Sequence, residues 1–321
     1  MKIGLIDVDG HNFPNLPLMK LSAWHKAHGD SVEWYEPLFS GHMDKVYMSK
    51  VFSFTQDYQY YIDAVEVIRG GSGYCIETIG SDREVYHSEK DSQLSPEIEH
   101  IYPDYSLYPE KTGYGRPLKE QTAYGFLTRG CPRGCEFCHV EAKEGRCSRK
   151  VADLSEFWKG QGNIMICDPN LIACKDWKDL IQQLIDSKAV ININQGIDIR
   201  MMTDEKAEMI KRLRVDSVHF AWDRYEDKDA IIPKFKAFKE ITGWGARKTS
   251  VFVLTNFNTT FEQDLERVYT LREMGYDPYI MIYNKQLTNG NESVRLLQRY
   301  VNNRKIFKTI KRFEDYNPKM G

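Results

Sequence analysis

No apolar run in this 321-residue chain approaches the roughly 20 residues that span a bilayer, so no membrane-crossing helix is expected. An excess of one charge is also lacking. The 44 Lys and Arg residues nearly cancel the 46 Asp and Glu residues, so the whole molecule lacks the strong positive field of a general nucleic-acid binder. The start has no signal-peptide pattern, because Met1-Lys2 leads straight into a short apolar strand ending in Asp and Gly. A cytoplasmic location is therefore expected. Internal repeats and low-complexity tracts are missing as well. Cysteine is sparse, with seven in the chain, and without an export signal these read as thiols or metal ligands rather than a disulfide framework.

What is present is a regular alternation of elements. Hydrophobic residues make up 41%, and the length suits about two domains with a core each. Strand-like runs at 2–8, 32–35, 46–52 and 65–68 surround a helical stretch at 16–28, which Gly29 stops as a cap residue would. This predicts an α/β fold that opens with a Rossmann-like parallel sheet domain over 1–116. The stretch 102–116 is rich in Tyr, Pro and Gly without periodicity, and it reads as a linker with a boundary near Pro117. Beyond it, strand-like runs at 124–128, 164–167, 190–194, 217–222, 250–255 and 279–283 alternate with helices near 177–187, 204–213, 230–241, 261–274 and 293–303. These βα units predict a partial (β/α)6 barrel over 117–290 and a basic helical extension over 291–321. In such sheets ligands gather at the carboxyl ends of the strands.

Three of the cysteines fall within eight residues, in Gly130-Cys131-Pro132-Arg133-Gly134-Cys135-Glu136-Phe137-Cys138-His139. Thiolates at C-x-x-x-C-x-x-C spacing on one tight loop can hold three irons of a [4Fe–4S] cubane and leave the fourth iron open. A structural zinc site is the alternative, and its usual set is four Cys or His ligands. His139 adjoins Cys138 in sequence, where both side chains would have difficulty reaching one tetrahedral ion, and no second paired-Cys knuckle follows.

On these residues the chain resembles the radical S-adenosylmethionine (SAM) superfamily, and the strand order from Tyr124 to Tyr283 is similar to that family's six-unit barrel. The resemblance implies that the open iron chelates the amino and carboxylate groups of SAM. It also implies reductive cleavage of SAM to methionine and a 5′-deoxyadenosyl radical that abstracts hydrogen from a substrate. An electron donor such as a flavodoxin or ferredoxin would be a partner. No motif names the substrate.

The same resemblance distributes candidate SAM contacts along the strand ends. Phe137 stands where the family's backbone lies near the adenine, and its plain reading is a hydrophobic plug under the loop. Cys167-Asp168-Pro169-Asn170 replaces a Gly-Gly-Glu signature, so Asp168 is either the pocket acid or a helix cap. Past the third strand, Asn194-Gln195-Gly196-Ile197-Asp198-Ile199-Arg200 offers Gln195, together with an Arg200 guanidinium that would pair with the SAM carboxylate or else form a surface salt bridge. Asp223 follows the fourth strand, in Phe220-Ala221-Trp222-Asp223-Arg224, where relatives carry an acid that contacts SAM. Asn256, in Thr255-Asn256-Phe257-Asn258, stands in place of a Gly- and Pro-containing turn. Cys147, Cys167 and Cys174 would be the donors of an auxiliary cluster, or else buried thiols acting as small hydrophobes.

The N-terminal region resembles cobalamin-binding domains in the order Asp9-x-His11, Ser49-x-Val51 and Gly70-Gly71 at strand ends. That resemblance implies cobalamin as a further cofactor, with His11 below the cobalt and Ser49, Gly70 and Gly71 lining the slot for the nucleotide tail. Pro14 departs from the expected glycine. The alternative is a cofactor-free Rossmann-like domain in which His11 caps a helix or closes a turn.

From Arg295 to Arg312 the chain carries seven Lys or Arg and no acid. A run this one-sided is a solvated face, a docking site for an acidic electron carrier, or a nucleic-acid contact. The leading expectation is a radical SAM enzyme. Its alternatives are a cobalamin-dependent radical SAM methyltransferase and a non-catalytic metal-binding or sensor protein.

Overall fold

The first strand, β1 (Lys2–Asp7), is buried at every position after Lys2, as a central strand packed on both faces must be. Ile3 and Leu5 share a core with Leu18 and Leu21 of helix α1 (Leu16–Ala27), while Ile6, pointing the other way, packs with Tyr35, Val46 and Met48. Each such fully buried side chain contributes about 1.5–3 kcal/mol. Asn15 caps α1 by accepting from the Leu18 amide at 3.2 Å, and Gly29, at φ +81°, lets the chain turn away from it. Strands β2 (Ser31–Trp34), β3 (Met43–Ser49) and β4 (Ala64–Gly70) complete a parallel sheet in the order β2-β1-β3-β4. The order reverses between β1 and β3, so their carboxyl ends flank a crevice of the kind open α/β sheets use for ligands.

This computed structural model describes residues 1–10, 13–79, 83–108, 122–283, 285 and 292–320. It divides into two units, Met1–Arg146 with Lys150–Met165, and Cys147–Arg149 with Ile166–Gly321. The expected boundary near Pro117 and most of its linker lie outside the described residues, as does the boundary expected at 290–291. After β4 the chain forms α2 (Ser72–Cys75), an antiparallel hairpin of β5 (Ile76–Ile79) and β6 (Arg83–Tyr86), and α3 (Pro96–Glu99). There follow β7 (Thr122–Gly125), β8 (Thr128–Arg129), α4 (Val140–Glu144) and β9 (Arg149–Lys150).

β10 (Asn163–Ile166) ends at the first residue of the main stretch of the second unit, where the Ile166 carbonyl accepts from the Asn194 amide just past β11 (Val190–Ile193) at 2.9 Å. Parallel bridges Ile191↔Val215 and Ile197↔Phe220 carry the order on toward β12 (Val218–Ala221). β12 pairs in parallel with β13 (Thr249–Thr255), and β13 with β14 (Asp277–Ile282). Helices α5 (Trp177–Ser187), α6 (Asp204–Lys211), α7 (Lys228–Thr242), α8 (Phe261–Glu273) and α9 (Glu292–Asn302) alternate with these strands, and α10 (Arg304–Thr309) follows. The alternation matches the sequence expectation, and the strands form no closed barrel among the described residues. Phe220, Phe235, Phe238 and Tyr276 meet edge to face in the core, with the Tyr276 hydroxyl bonded to the Phe235 carbonyl at 2.8 Å. No helix among the described residues is long and apolar enough to cross a membrane.

Candidate functional site

The cysteine loop lies in the first unit, between β8 and α4. Its base is closed by Glu144, whose two carboxylate oxygens accept from Arg129 Nη1 at 2.8 Å and from the Gly130 amide at 2.9 Å. The Cys131 amide reaches the Gly145 carbonyl at 3.2 Å, and the Cys138 amide turns back onto the Cys135 carbonyl at 2.9 Å. Gly134 holds φ +58°, and a Cβ there would run into the Arg146 and Glu141 side chains, so glycine is what permits the turn between the first two cysteines. Cys131, Cys135 and Phe137 are half-buried, and Cys138 is exposed.

The donor set can be tested against the two metal chemistries. A single tetrahedral ion needs ligands that converge on one point, whereas the three thiolates of a cubane sit on three different irons and stand farther apart. Among the described residues no three His, Cys, Asp or Glu side chains converge on a single ion. His139, the neighbouring candidate for a fourth zinc ligand, instead faces Glu84 of the hairpin, with Nε2 and Oε2 3.1 Å apart. Of the remaining thiols, Cys174 is buried, Cys167 half-buried and Cys147 exposed.

A second concentration of polar groups stands at the strand ends of the second unit. Asp198, just past β11, accepts from the Arg200 amide at 3.1 Å and from Arg200 Nε at 2.8 Å, and Asn170 Nδ2 lies 3.4 Å from its other oxygen. Arg200 Nη1 also donates to Asp227 at 3.1 Å. Asp223, at the end of β12, feels both Arg200 and Arg267, yet burial outweighs them and pushes its carboxyl up to about 6, with Asp198 and Asp227 adding in the same direction. No hydrogen bond or ion pair from the described residues reaches that carboxyl. Arg200 and Asp223, both expected from the sequence, are thus brought into one electrostatic neighbourhood.

The other expected residues of this unit are placed differently. Asp168 is fully buried after β10, and Gln195 is exposed on the loop after β11. Asn256 holds φ +63°, a left-handed conformation that Asn tolerates, and its Nδ2 donates to the Tyr283 carbonyl at 3.2 Å. Sequence reasoning missed Arg267. This fully buried side chain on α8 donates to the carbonyls of Trp222 (2.6 Å), Asp223 (3.2 Å) and Leu254 (2.7 Å), and its counter-ion Asp264 lies at 2.5 Å. It ties the carboxyl ends of β12 and β13 together. Asp264, Arg267, Val268 and Leu271 share the buried face of α8, where two charges demand a partner, but that demand shows only once the face is known to be buried.

In the first unit, the groups at the crevice between β1 and β3 are bonded to their own chain. Asp9 accepts from the Val51 amide at 2.5 Å, the Phe52 amide at 3.3 Å and the Thr55 hydroxyl at 2.6 Å. Ser49 accepts from Asn15 Nδ2 at 2.8 Å. Burial pushes the Asp7 carboxyl up to about 7, although the Tyr108 hydroxyl donates to it at 2.8 Å. Gly71 has φ +96° and a Cβ there would overlap the Lys50 carbonyl, while one on Gly70 would press on the Ser92 hydroxyl at 3.0 Å. His11 lies outside the described residues. Compared with known proteins, the chain matches no family model and no curated protein.

Proposed function

We propose that this chain is a radical SAM enzyme in which Cys131, Cys135 and Cys138 hold a [4Fe–4S] cluster. The observation that carries the reading is the cysteine loop itself: three thiols at C-x-x-x-C-x-x-C spacing, turned by Gly134 and closed at its base by Glu144. When bound there, the cluster would supply the single electron that splits SAM into methionine and a 5′-deoxyadenosyl radical. In the second unit, the Arg200 guanidinium, which pairs with Asp198 and Asp227, would take a substrate carboxylate by sharing or exchanging one of these partners, and the Asp223 carboxylate is suited to an ammonium group. Asp168, Gln195 and Asn256 complete the candidate set for SAM, and Phe137 is assigned beside the adenine.

The reading carries with it a small acidic electron donor of the flavodoxin or ferredoxin kind and a cytoplasmic location. A cobalamin-dependent radical SAM methyltransferase is the alternative reading, with Ser49, Gly70 and Gly71 at the strand ends of the first unit as its candidate residues. Anaerobic reconstitution tests the proposal. Wild-type protein should hold about four irons and four sulfides per chain, and the Cys131→Ala/Cys135→Ala/Cys138→Ala variant almost none. Dithionite-reduced wild type should release 5′-deoxyadenosine from SAM. Stoichiometric zinc without iron would refute the reading.

A further inference from the structure

We propose that the groove between β14 and the C-terminal helices binds single-stranded nucleic acid. An open groove of about 780 Å³ in the second unit is lined by Tyr279 of β14, Lys285 beyond it, Arg295 and Arg299 of α9, and Arg304 and Lys305 of α10. Arg295 and Arg299 are four residues apart and share one helix face. Asn303 then breaks the helix. Its Oδ1 accepts from the amides of Lys305 (3.1 Å) and Ile306 (3.2 Å), which starts α10 and brings the next two cations to the same groove. Four of the seven cations that read in sequence as a basic tail therefore line one concavity. Among the described residues no acidic side chain lines it, although Asp277 pairs with Arg304 at 2.6 Å from outside the lining.

The wall is fixed. The Ile280 amide donates to Asn302 Oδ1 at 2.8 Å, and its carbonyl accepts from Asn302 Nδ2 and Gln298 Nε2 at 3.1 Å each. The β14 backbone at Ile280 is therefore occupied by side chains of α9 and is not open to an added peptide strand. Five cations in one concavity make a locally basic surface in a chain whose net charge is only −2, and such a surface attracts a polyanion. Three of the five are Arg, whose planar fork matches phosphate oxygens. Tyr279, 46% exposed among these cations, offers a ring face, and only unpaired bases can stack on it. An acidic protein would instead need an apolar centre to its interface, and here the apolar element is a single ring bordered by cations.

Fluorescence anisotropy of the full chain with short labelled oligouridylate and oligodeoxythymidylate tests the proposal. Both strands should bind, with affinity falling steeply as salt is raised. The exposed-position variant Arg295→Gln/Arg299→Gln/Lys305→Gln should bind at least about tenfold more weakly and with a shallower salt slope. Tyr279→Leu, which keeps an apolar side chain against Phe252, should weaken binding about tenfold at every salt concentration and leave the slope unchanged. Absence of binding at low salt, unchanged affinity in the triple variant, or polyglutamate binding as tightly as the oligonucleotides would each overturn the proposal. So would tighter binding of a duplex of the same length, since the ring would then have no base to meet.

Discussion

Both units of this chain set carboxylates at the carboxyl ends of parallel strands, and they use them in opposite ways. At the end of β1, Asp7 receives the Tyr108 hydroxyl and Asp9 receives two amides and a hydroxyl, so each acid is bonded to its own chain. At the end of β12, Asp223 is flanked by Arg200 and Arg267 but bonded to neither through its carboxyl. Burial raises both Asp7 and Asp223, to about 7 and about 6, so a perturbed carboxyl alone does not separate the two sites. What separates them is that, among the described residues, Asp7 has a hydrogen-bond donor and the Asp223 carboxyl has none.

The largest test of this contrast is to remove what supports the second site. Arg267→Met should strand Asp264 as a buried charge and leave three carbonyls without their donor, costing about 3–5 kcal/mol in a denaturant titration. Adding Asp264→Leu should restore much of that loss, since both charges are then gone. A full loss in the double variant would mean that the three carbonyl bonds, and not the ion pair, hold the strand ends.

On the other side of the comparison, Gly71→Ala should destabilise the protein by about 1–3 kcal/mol with no cofactor present, because φ +96° and the Lys50 carbonyl both exclude a Cβ. Thermal unfolding of the two proteins measures this directly. An Ala variant as stable as wild type would mean that the backbone at position 71 tolerates a Cβ after all.

The smallest expected effect sharpens the role of Asp223. Asp223→Asn should lower SAM affinity about tenfold at neutral pH, and wild-type affinity should itself decline as pH falls through about 6 and the carboxylate is protonated. Stability should move the other way. Between the ordinary value of 3.8 and about 6 the folded protein holds a proton that the unfolded chain releases, so wild type loses stability as pH rises through that window. The Asn variant lacks this loss. Equilibrium dialysis with SAM and denaturation at the two ends of the window report the two effects separately.

The long helices of the second unit were legible because each shows several turns of one periodicity, and α5 matches its expected span while α6 to α9 fall within a few residues of theirs. Strand ends were harder. The run 46–52 reads as one strand, yet β3 stops at Ser49 because the Asp9 carboxylate captures the amides of Val51 and Phe52, a contact across 42 residues that no local pattern reveals. The β5–β6 hairpin is made of two four-residue strands, too short to stand out from the polar sequence around them. That Cys131, Cys135 and Cys138 share one short loop was legible from their spacing alone. Arg267 was not read, because a single Arg on a helix resembles any surface cation until its face is known to be buried. Gly71 was read as a candidate ligand slot, and the Lys50 carbonyl packed where its Cβ would stand is a neighbour that the sequence does not announce.

The guanidinium of Arg267 also bears on time as well as on position. The Asp223 carbonyl is one of three that it grips from inside the core, so the segment carrying the carboxyl is anchored to a fully buried charge. Amides at the ends of β12 and β13 should then exchange with solvent only when the unit opens as a whole, not by fraying from their ends. An acid held this way would meet any ligand already in place, and the encounter would cost little ordering of the loop.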